Sequence, residues 1–77
     1  MVKLDDVLQI IYNHLYDPSS VIRVNYQTGH HLASIDITNK NYVGADASFL
    51  KYYNYCKDLC FLSMDKIVLI KVISKGE

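Results

Sequence analysis

The first part of the chain carries apolar residues at helical spacing. They follow one another at intervals of three and four positions, as on one face of an amphipathic helix. They are Leu4, Val7, Leu8, Ile11 and Leu15. Asp5 and Asp6 lie in the first turn of this segment, where negative charge interacts favourably with the helix dipole. Pro18 disfavours helical backbone at Asp17, so the pattern predicts a helix from Lys3 to Tyr16.

Two runs of alternating apolar and polar residues follow, at positions 21–27 and 32–38. Such alternation is typical of a half-buried antiparallel strand pair. The apolar face consists of Ile22, Val24 and Tyr26 on the first run and Ala33, Ile35 and Ile37 on the second. Gly29, between the runs, can take the positive φ that a tight turn needs. Asn39-Lys40-Asn41 predicts a second turn, after which Tyr42-Val43-Gly44 fits a short third strand.

A second apolar stripe at helical spacing lies between positions 49 and 60. Its members are Phe49, Tyr52, Tyr53, Cys56, Leu59 and Cys60. Asp46 or Ser48 can cap a helix here by accepting a hydrogen bond from a free backbone N–H. We therefore predict a second helix, whose end is open because residues 61–63 fit either its last turn or the start of a strand.

The last predicted strand runs from Lys66 to Ser74 and is apolar on both faces, with Lys71 as the exception. This character is typical of a strand covered on two sides, either at the centre of a sheet or at an interface. The predicted fold class is α+β, a single domain over residues 1–77. A small antiparallel sheet of three to four strands would carry two helices on one face, in the order α-β-β-(β)-α-β.

Composition adds an expectation about association. The hydrophobic fraction is 51%, much for a chain of 77 residues, and eight Lys+Arg balance eight Asp+Glu. Excess apolar surface and low self-repulsion both favour a protein partner or a homo-oligomer, most simply a homodimer. Nucleic-acid binding is disfavoured because no basic patch is visible.

No apolar run reaches the length of a membrane span, so we expect no membrane association. Asp5 and Asp6 stand where a signal peptide would need an apolar stretch. Cys56 and Cys60 do not make a disulfide framework, so we expect a cytoplasmic protein.

The two cysteines also raise the question of a metal site. Together with His30 and His31 they offer the donor set of a two-Cys, two-His zinc site. Both cysteines, however, lie in the second apolar stripe, where Cys behaves as a small buried hydrophobe. We therefore predict reduced, buried cysteines, with no metal and no cofactor.

His30-His31 is the most distinctive polar pair of the chain. With Asp36 it offers a general base or an acid–base pair, since His titrates near neutrality. A helix and a strand followed by Gly29-His30-His31 resemble the start of HicA-type toxins, small messenger-RNA interferases with a double-stranded-RNA-binding-like fold. The resemblance covers residues 4–38 and implies a catalytic role for His30 or His31. The basic residues of that family are absent here.

Our preferred interpretation is a small non-catalytic protein-interaction module, an inhibitor or regulator of the kind that phages and mobile elements encode. The alternative is an RNA-acting enzyme or RNA-binding domain of the HicA-like kind that uses His30 or His31. Exposed tyrosines with no basic groove beside them favour a protein partner over nucleic acid. The predicted contact residues are Arg23, His30, His31, Tyr42 and Tyr55.

Overall fold

A computed structural model describes residues 3–74 as one helix and six strands. The α+β class is confirmed, whereas the single sheet and the second helix are not. The elements are helix α1 (Leu4–His14) and strands β1 (Ser20–Thr28), β2 (His31–Ile37), β3 (Tyr42–Ala45), β4 (Phe49–Tyr53), β5 (Leu59–Ser63) and β6 (Ile67–Ser74). A short 3-10 helix, Met64–Lys66, joins the last two strands.

The predicted first helix is confirmed with slightly shorter ends. Val7 and Ile11 are buried on its inner side, and Leu15 follows just beyond its last turn. Asp17 ends the segment as the sequence indicates, because its carboxylate accepts hydrogen bonds from the backbone N–H of Ser19 and the hydroxyl of Ser20. These bonds fix the chain reversal that leads from α1 into β1.

The predicted first hairpin is also confirmed. β1 pairs with β2 in antiparallel register, so that Val24 lies opposite Ile35 and Thr28 opposite His31. Only two residues, Gly29 and His30, connect the strands, and Gly29 takes a φ of 61°. A two-residue hairpin turn with Gly at its first position is the type II′ geometry, which glycine adopts without steric cost.

The predicted second helix is wrong, because residues 49–63 form the hairpin β4–β5. Leu50 and Leu62 lie opposite each other, both on the buried face. The helical stripe leaves both leucines out, although Leu50 is the most deeply buried side chain of the described core at 0% exposure. Burying these leucines favours the strand pair. Asp46 does accept backbone N–H bonds, from Ser48 and Phe49, but they form a turn that leads into a strand.

The strands form two three-stranded antiparallel sheets, in the orders β2-β1-β6 and β3-β4-β5. A single core lies between α1 and both sheets. Its buried residues are Val7, Ile11, Leu15, Ile22, Val24, Ile37, Leu50, Leu62, Met64 and Ile67.

The position of β6 corrects another expectation. Within residues 3–74 this strand pairs with β1 alone and is an edge strand, not a central one. A register shift opposite Asn25 and Tyr26 interrupts the pairing near its start. The apolar side chains of β6 are therefore less covered than their sequence pattern indicates.

Candidate binding surfaces

The edge of β6 is the first candidate binding surface. Val68, Leu69 and Val72 are 53%, 46% and 39% exposed, respectively. Leu69 and Lys71 lie on the outer face of the sheet, opposite Asn25 and Arg23 of β1. Exposed apolar side chains thus occur along a strand whose outer backbone N–H and C=O groups pair with no other strand of the described chain, which is the combination that strand addition uses.

The outer face of the second sheet is the next candidate. The rings of Phe49 and Phe61 meet edge to face with centroids 5.7 Å apart. The ammonium of Lys51 lies 6.0 Å from the Phe61 centroid and 3.4 Å from a carboxylate oxygen of Asp46. These contacts engage the Lys51 ammonium within the chain but leave Phe49 40% and Phe61 56% exposed.

A groove of about 390 Å³ is the third candidate, and it lies beside the tip of the β4–β5 hairpin. It brings together two tyrosines, two lysines and two asparagines, which come from the turn between β2 and β3, the end of β4 and the β4–β5 loop. Its lining residues are Lys40, Asn41, Tyr53, Asn54, Tyr55 and Lys57. The groove is adjacent to a second depression that shares four of these residues and also includes Asp36; the shared residues are Asn41, Tyr53, Asn54 and Tyr55.

The loop at this hairpin tip has a well-defined geometry. The backbone N–H of Asn54 donates to the Asp58 carbonyl at 3.0 Å, and that of Lys57 donates to the Asn54 carbonyl at 2.9 Å. The Asn54 side-chain oxygen accepts from the N–H of Asp58 at 3.0 Å. This is a three-residue loop whose last position is left-handed, a place that glycine usually takes. Lys57 occupies it with a φ of 68°.

Replacing Lys57 with Gly is therefore expected to stabilise the fold. A non-glycine residue in the left-handed region costs about 1–2 kcal/mol, of which the greater freedom of glycine in the unfolded chain offsets about 0.5–1 kcal/mol. We expect a net gain of about 0.5–1 kcal/mol in urea unfolding. The same change at Lys66, which is also exposed but has no positive φ, should instead destabilise the protein. A destabilised K57G would contradict this loop geometry.

The proposed catalytic residues are not brought together. His30 lies in the turn and His31 at the start of β2, and both are exposed. Asp36 lies five positions further along β2, which is about 17 Å at the rise of a strand. Odd and even positions point to opposite faces, so the side chains of His31 and Asp36 also diverge. His31 and Asp36 therefore do not form an acid–base pair, and a role for His30 or His31 in the RNA-acting alternative stays a prediction.

Asp36 has a different partner. Arg23 donates to its two carboxylate oxygens, from Nε at 2.8 Å and from a terminal nitrogen at 3.1 Å. These hydrogen bonds lower the pKa of Asp36 below its ordinary value, although partial burial of the carboxyl opposes the shift. Arg23, one of the predicted contact residues, is thus held against its neighbour strand by a two-point ion pair.

This ion pair predicts a pH-dependent contribution to stability. The pKa of Asp36 is lower in the folded state than in the unfolded chain, so the contribution is present above the unfolded pKa and is lost as the pH falls through the folded pKa. D36N should lower the unfolding midpoint modestly at neutral pH and leave it unchanged in strong acid. Adding R23Q should then have little further effect, and equal losses at all pH values would contradict the pairing.

The remaining predicted site residues are divided between surface and interior. Tyr55 is 97% exposed at the hairpin tip, whereas Tyr42 is partly buried against the core. Burial raises the pKa of the Tyr42 hydroxyl.

The predicted burial is wrong for Cys56 and is met only in part by Cys60. Cys56 is exposed in the hairpin loop and Cys60 is half-buried on β5; both are free thiols. A strand and a loop replace the helix face on which the two were placed. Among residues 3–74, no three His, Cys, Asp or Glu side chains form a group suited to a metal ion.

Sequence reasoning missed the groove. The sequence pattern predicts only a turn at Lys40 and Asn41 and a helix at Lys57, so it does not bring these residues together. The signal for the hairpin was the run from Asn54 to Asp58, whose two end residues commonly form turns.

Comparison of the chain with protein-family models, with curated proteins and with solved structures found no match. Within the described residues, no helix has the length and apolar character of a membrane span.

Proposed function

We propose that this chain is a non-catalytic protein-interaction module that forms a homodimer by pairing the β6 edges of two copies. The observation that carries the proposal is the edge of β6, which no other strand within residues 3–74 pairs; it is eight residues long, with Val68, Leu69 and Val72 exposed. An apolar edge of this length is a template for another strand.

The other edges are less suited to the same role. β3 has four residues and β5 has five, against eight in β6. β2 is longer, but its outward side chains include Ser34 and Asp36, and the latter is engaged by Arg23. A longer edge strand provides more backbone hydrogen bonds to an added strand. Exposed apolar side chains along that edge stabilise the pairing further, because they become buried on contact.

A second copy is the simplest partner because an antiparallel strand pair has twofold symmetry. Rotation about an axis perpendicular to the sheet joins two β6 strands and keeps the inner face of each copy on the same side. The result is a six-stranded sheet in the order β2-β1-β6-β6-β1-β2. Zero formal net charge leaves little long-range repulsion between copies.

The position of Lys71 selects the register. Strand β6 spans Ile67 to Ser74, so pairing centred on Ile70 or on Lys71 gives the greatest overlap. Centring on Lys71 places two ammonium groups directly opposite each other, which is destabilising. Centring on Ile70 places Ile70 beside its counterpart and Lys71 opposite Leu69 of the second copy. We propose this second register.

Sedimentation equilibrium of the purified chain over the micromolar range tests the proposal. We expect a reversible monomer–dimer equilibrium that shifts to the dimer as the concentration rises. A mass that stays at one chain throughout would overturn self-association, and assembly beyond the dimer would contradict the closed twofold arrangement.

A further inference from the structure

We infer that the groove beside the β4–β5 hairpin tip binds an extended acidic segment of a protein partner. This site is separate from β6, so the inference does not depend on the dimer. It rests on three observations: the lysines that line the groove, the hydrogen bonds that fix its backbone, and the left-handed conformation of Lys57.

The charge in the groove is predominantly positive. Lys40 comes from the turn between β2 and β3, and Lys57 from the β4–β5 loop, so cations from two separate segments converge on one depression. Among the residues that line the adjoining depression, the acidic one is Asp36, whose charge is balanced by Arg23. An anionic ligand therefore meets two ammonium groups with no unbalanced carboxylate among the lining residues.

Asn41, which lines the groove, takes part in a network of hydrogen bonds. The Asn41 side chain accepts from the N–H of Thr38 at 2.8 Å and donates to the Asp36 carbonyl at 2.9 Å. The Asn41 carbonyl in turn accepts from the N–H of Tyr53 at 2.8 Å. These bonds connect the turn that carries Lys40 to the strand that carries Tyr53, and a site fixed before binding loses less entropy on binding.

The walls offer both apolar contact and hydrogen-bond donors. Tyr53 is 43% exposed and Tyr55 is 97% exposed, so each presents a ring face together with a hydroxyl. A tyrosine that is exposed in the free protein has the most surface to lose on contact, and this residue type dominates many protein-binding sites. The combination fits a segment in which acidic and apolar side chains alternate.

The conformation of Lys57 gives an independent reason to regard the loop as functional. Lysine occupies the left-handed position, φ 68°, where glycine would complete the same loop without strain. Backbone strain of this kind tends to persist at functional sites, where the side chain of the strained residue is required. Lys57 lines the groove, and the function that we infer for its side chain is to attract an acidic ligand.

Charge also favours a peptide over single-stranded nucleic acid. Tyrosine rings and lysines can bind either ligand, but proteins that follow a phosphate backbone generally present a continuous basic path. Here eight basic residues are balanced by eight acidic ones, and two lysines line the groove itself. A short acidic segment needs only the local pair of lysines.

The test is an NMR titration of the ¹⁵N-labelled chain with a peptide of alternating Glu and Leu. We expect the amide signals of Asn41, Tyr53 and Lys57 to shift in a saturable manner, with β1 and β2 outside the groove unaffected. A peptide of alternating Lys and Leu is the matched probe for charge. Oligothymidylate is the probe for nucleic acid.

Four variants that each remove one positive charge complete the experiment. K40Q and K57Q should each weaken binding of the acidic peptide roughly three- to tenfold, and K66Q, which removes the same charge outside the groove, should leave it unchanged. K57G should fold at least as well as the wild type and bind as weakly as K57Q. Lack of saturation at millimolar acidic peptide, equal binding of the basic peptide, or tighter groove-dependent binding of oligothymidylate would each overturn the inference.

Discussion

Replacing Leu50 with Ala is expected to destabilise the protein by about 2–5 kcal/mol, the usual cost of opening a cavity at a fully buried leucine. Leu50 is 0% exposed and lies opposite Leu62, on the face of the second sheet that contacts the core. Urea unfolding of L50A measures the loss.

Leu59 provides the matched control because it has the same side chain on the neighbouring strand. It is 47% exposed, so L59A should cost less than about 1 kcal/mol. The helical interpretation of this segment predicts the opposite order, since its apolar stripe includes Leu59 and omits Leu50. A larger loss in L59A than in L50A would therefore contradict the β4–β5 hairpin.

Replacing Leu69 with Lys is expected to dissociate the proposed dimer, whereas replacing it with Glu should preserve it. In the register centred on Ile70, each residue 69 lies opposite Lys71 of the second copy. L69K places like charges opposite each other at two symmetric positions, and L69E places opposite charges there. With cross-strand charge effects of about 0.2–1 kcal/mol per pair, of opposite sign in the two variants and at two symmetric positions, the two dissociation constants should differ roughly fourfold or more.

Both variants lose the same apolar contact, so their difference reports charge and register rather than hydrophobicity. Leu69 is 46% exposed on a single chain, so neither change should unfold the protein. F61K introduces a lysine on the other exposed apolar surface, where Phe61 is 56% exposed, and should leave the dimer intact. Dissociation by F61K but not by L69K would move the interface to the second sheet.

The first half of the fold could be predicted because local signals there agree with the tertiary structure. In α1 the apolar spacing has only one interpretation, and Pro18 limits where the helix ends. In β1–β2 the alternation, the two-residue turn and Gly29 indicate the same hairpin. Each element buries the residues that its own pattern marks as apolar.

The β4–β5 hairpin could not be predicted in the same way because two periods coexist in its sequence. Phe49, Tyr52 and Tyr53 fit a helix face, while Leu50 and Tyr52 fit one face of a strand. Whether this segment forms a helix or a strand depends on the surface against which it packs. Leu50 packs into the core that α1 and the first sheet provide. A glycine at position 57 would have indicated a turn, whereas a lysine there is equally compatible with a helix.

The candidate surfaces were predicted only in part. The apolar character of β6 predicts a strand covered on two sides, whereas in the part of the chain that the structure describes it is an edge strand with Val68, Leu69 and Val72 exposed. Tyr55 was selected as an exposed contact residue and lies on the groove. Lys40 and Lys57 were not selected, because their proximity depends on a loop that the helical interpretation excludes.

Amide hydrogen exchange along β6, measured at low and at high protein concentration, tests the central claim most directly. Alternate backbone N–H groups of an antiparallel edge strand point away from its only neighbour, so they exchange rapidly in a single copy. The proposed dimer predicts that these amides of Ile67–Ser74 become protected as the concentration rises, while those of β4 and β5 do not change. Exchange along β6 that is independent of concentration, or new protection confined to β5, would contradict it.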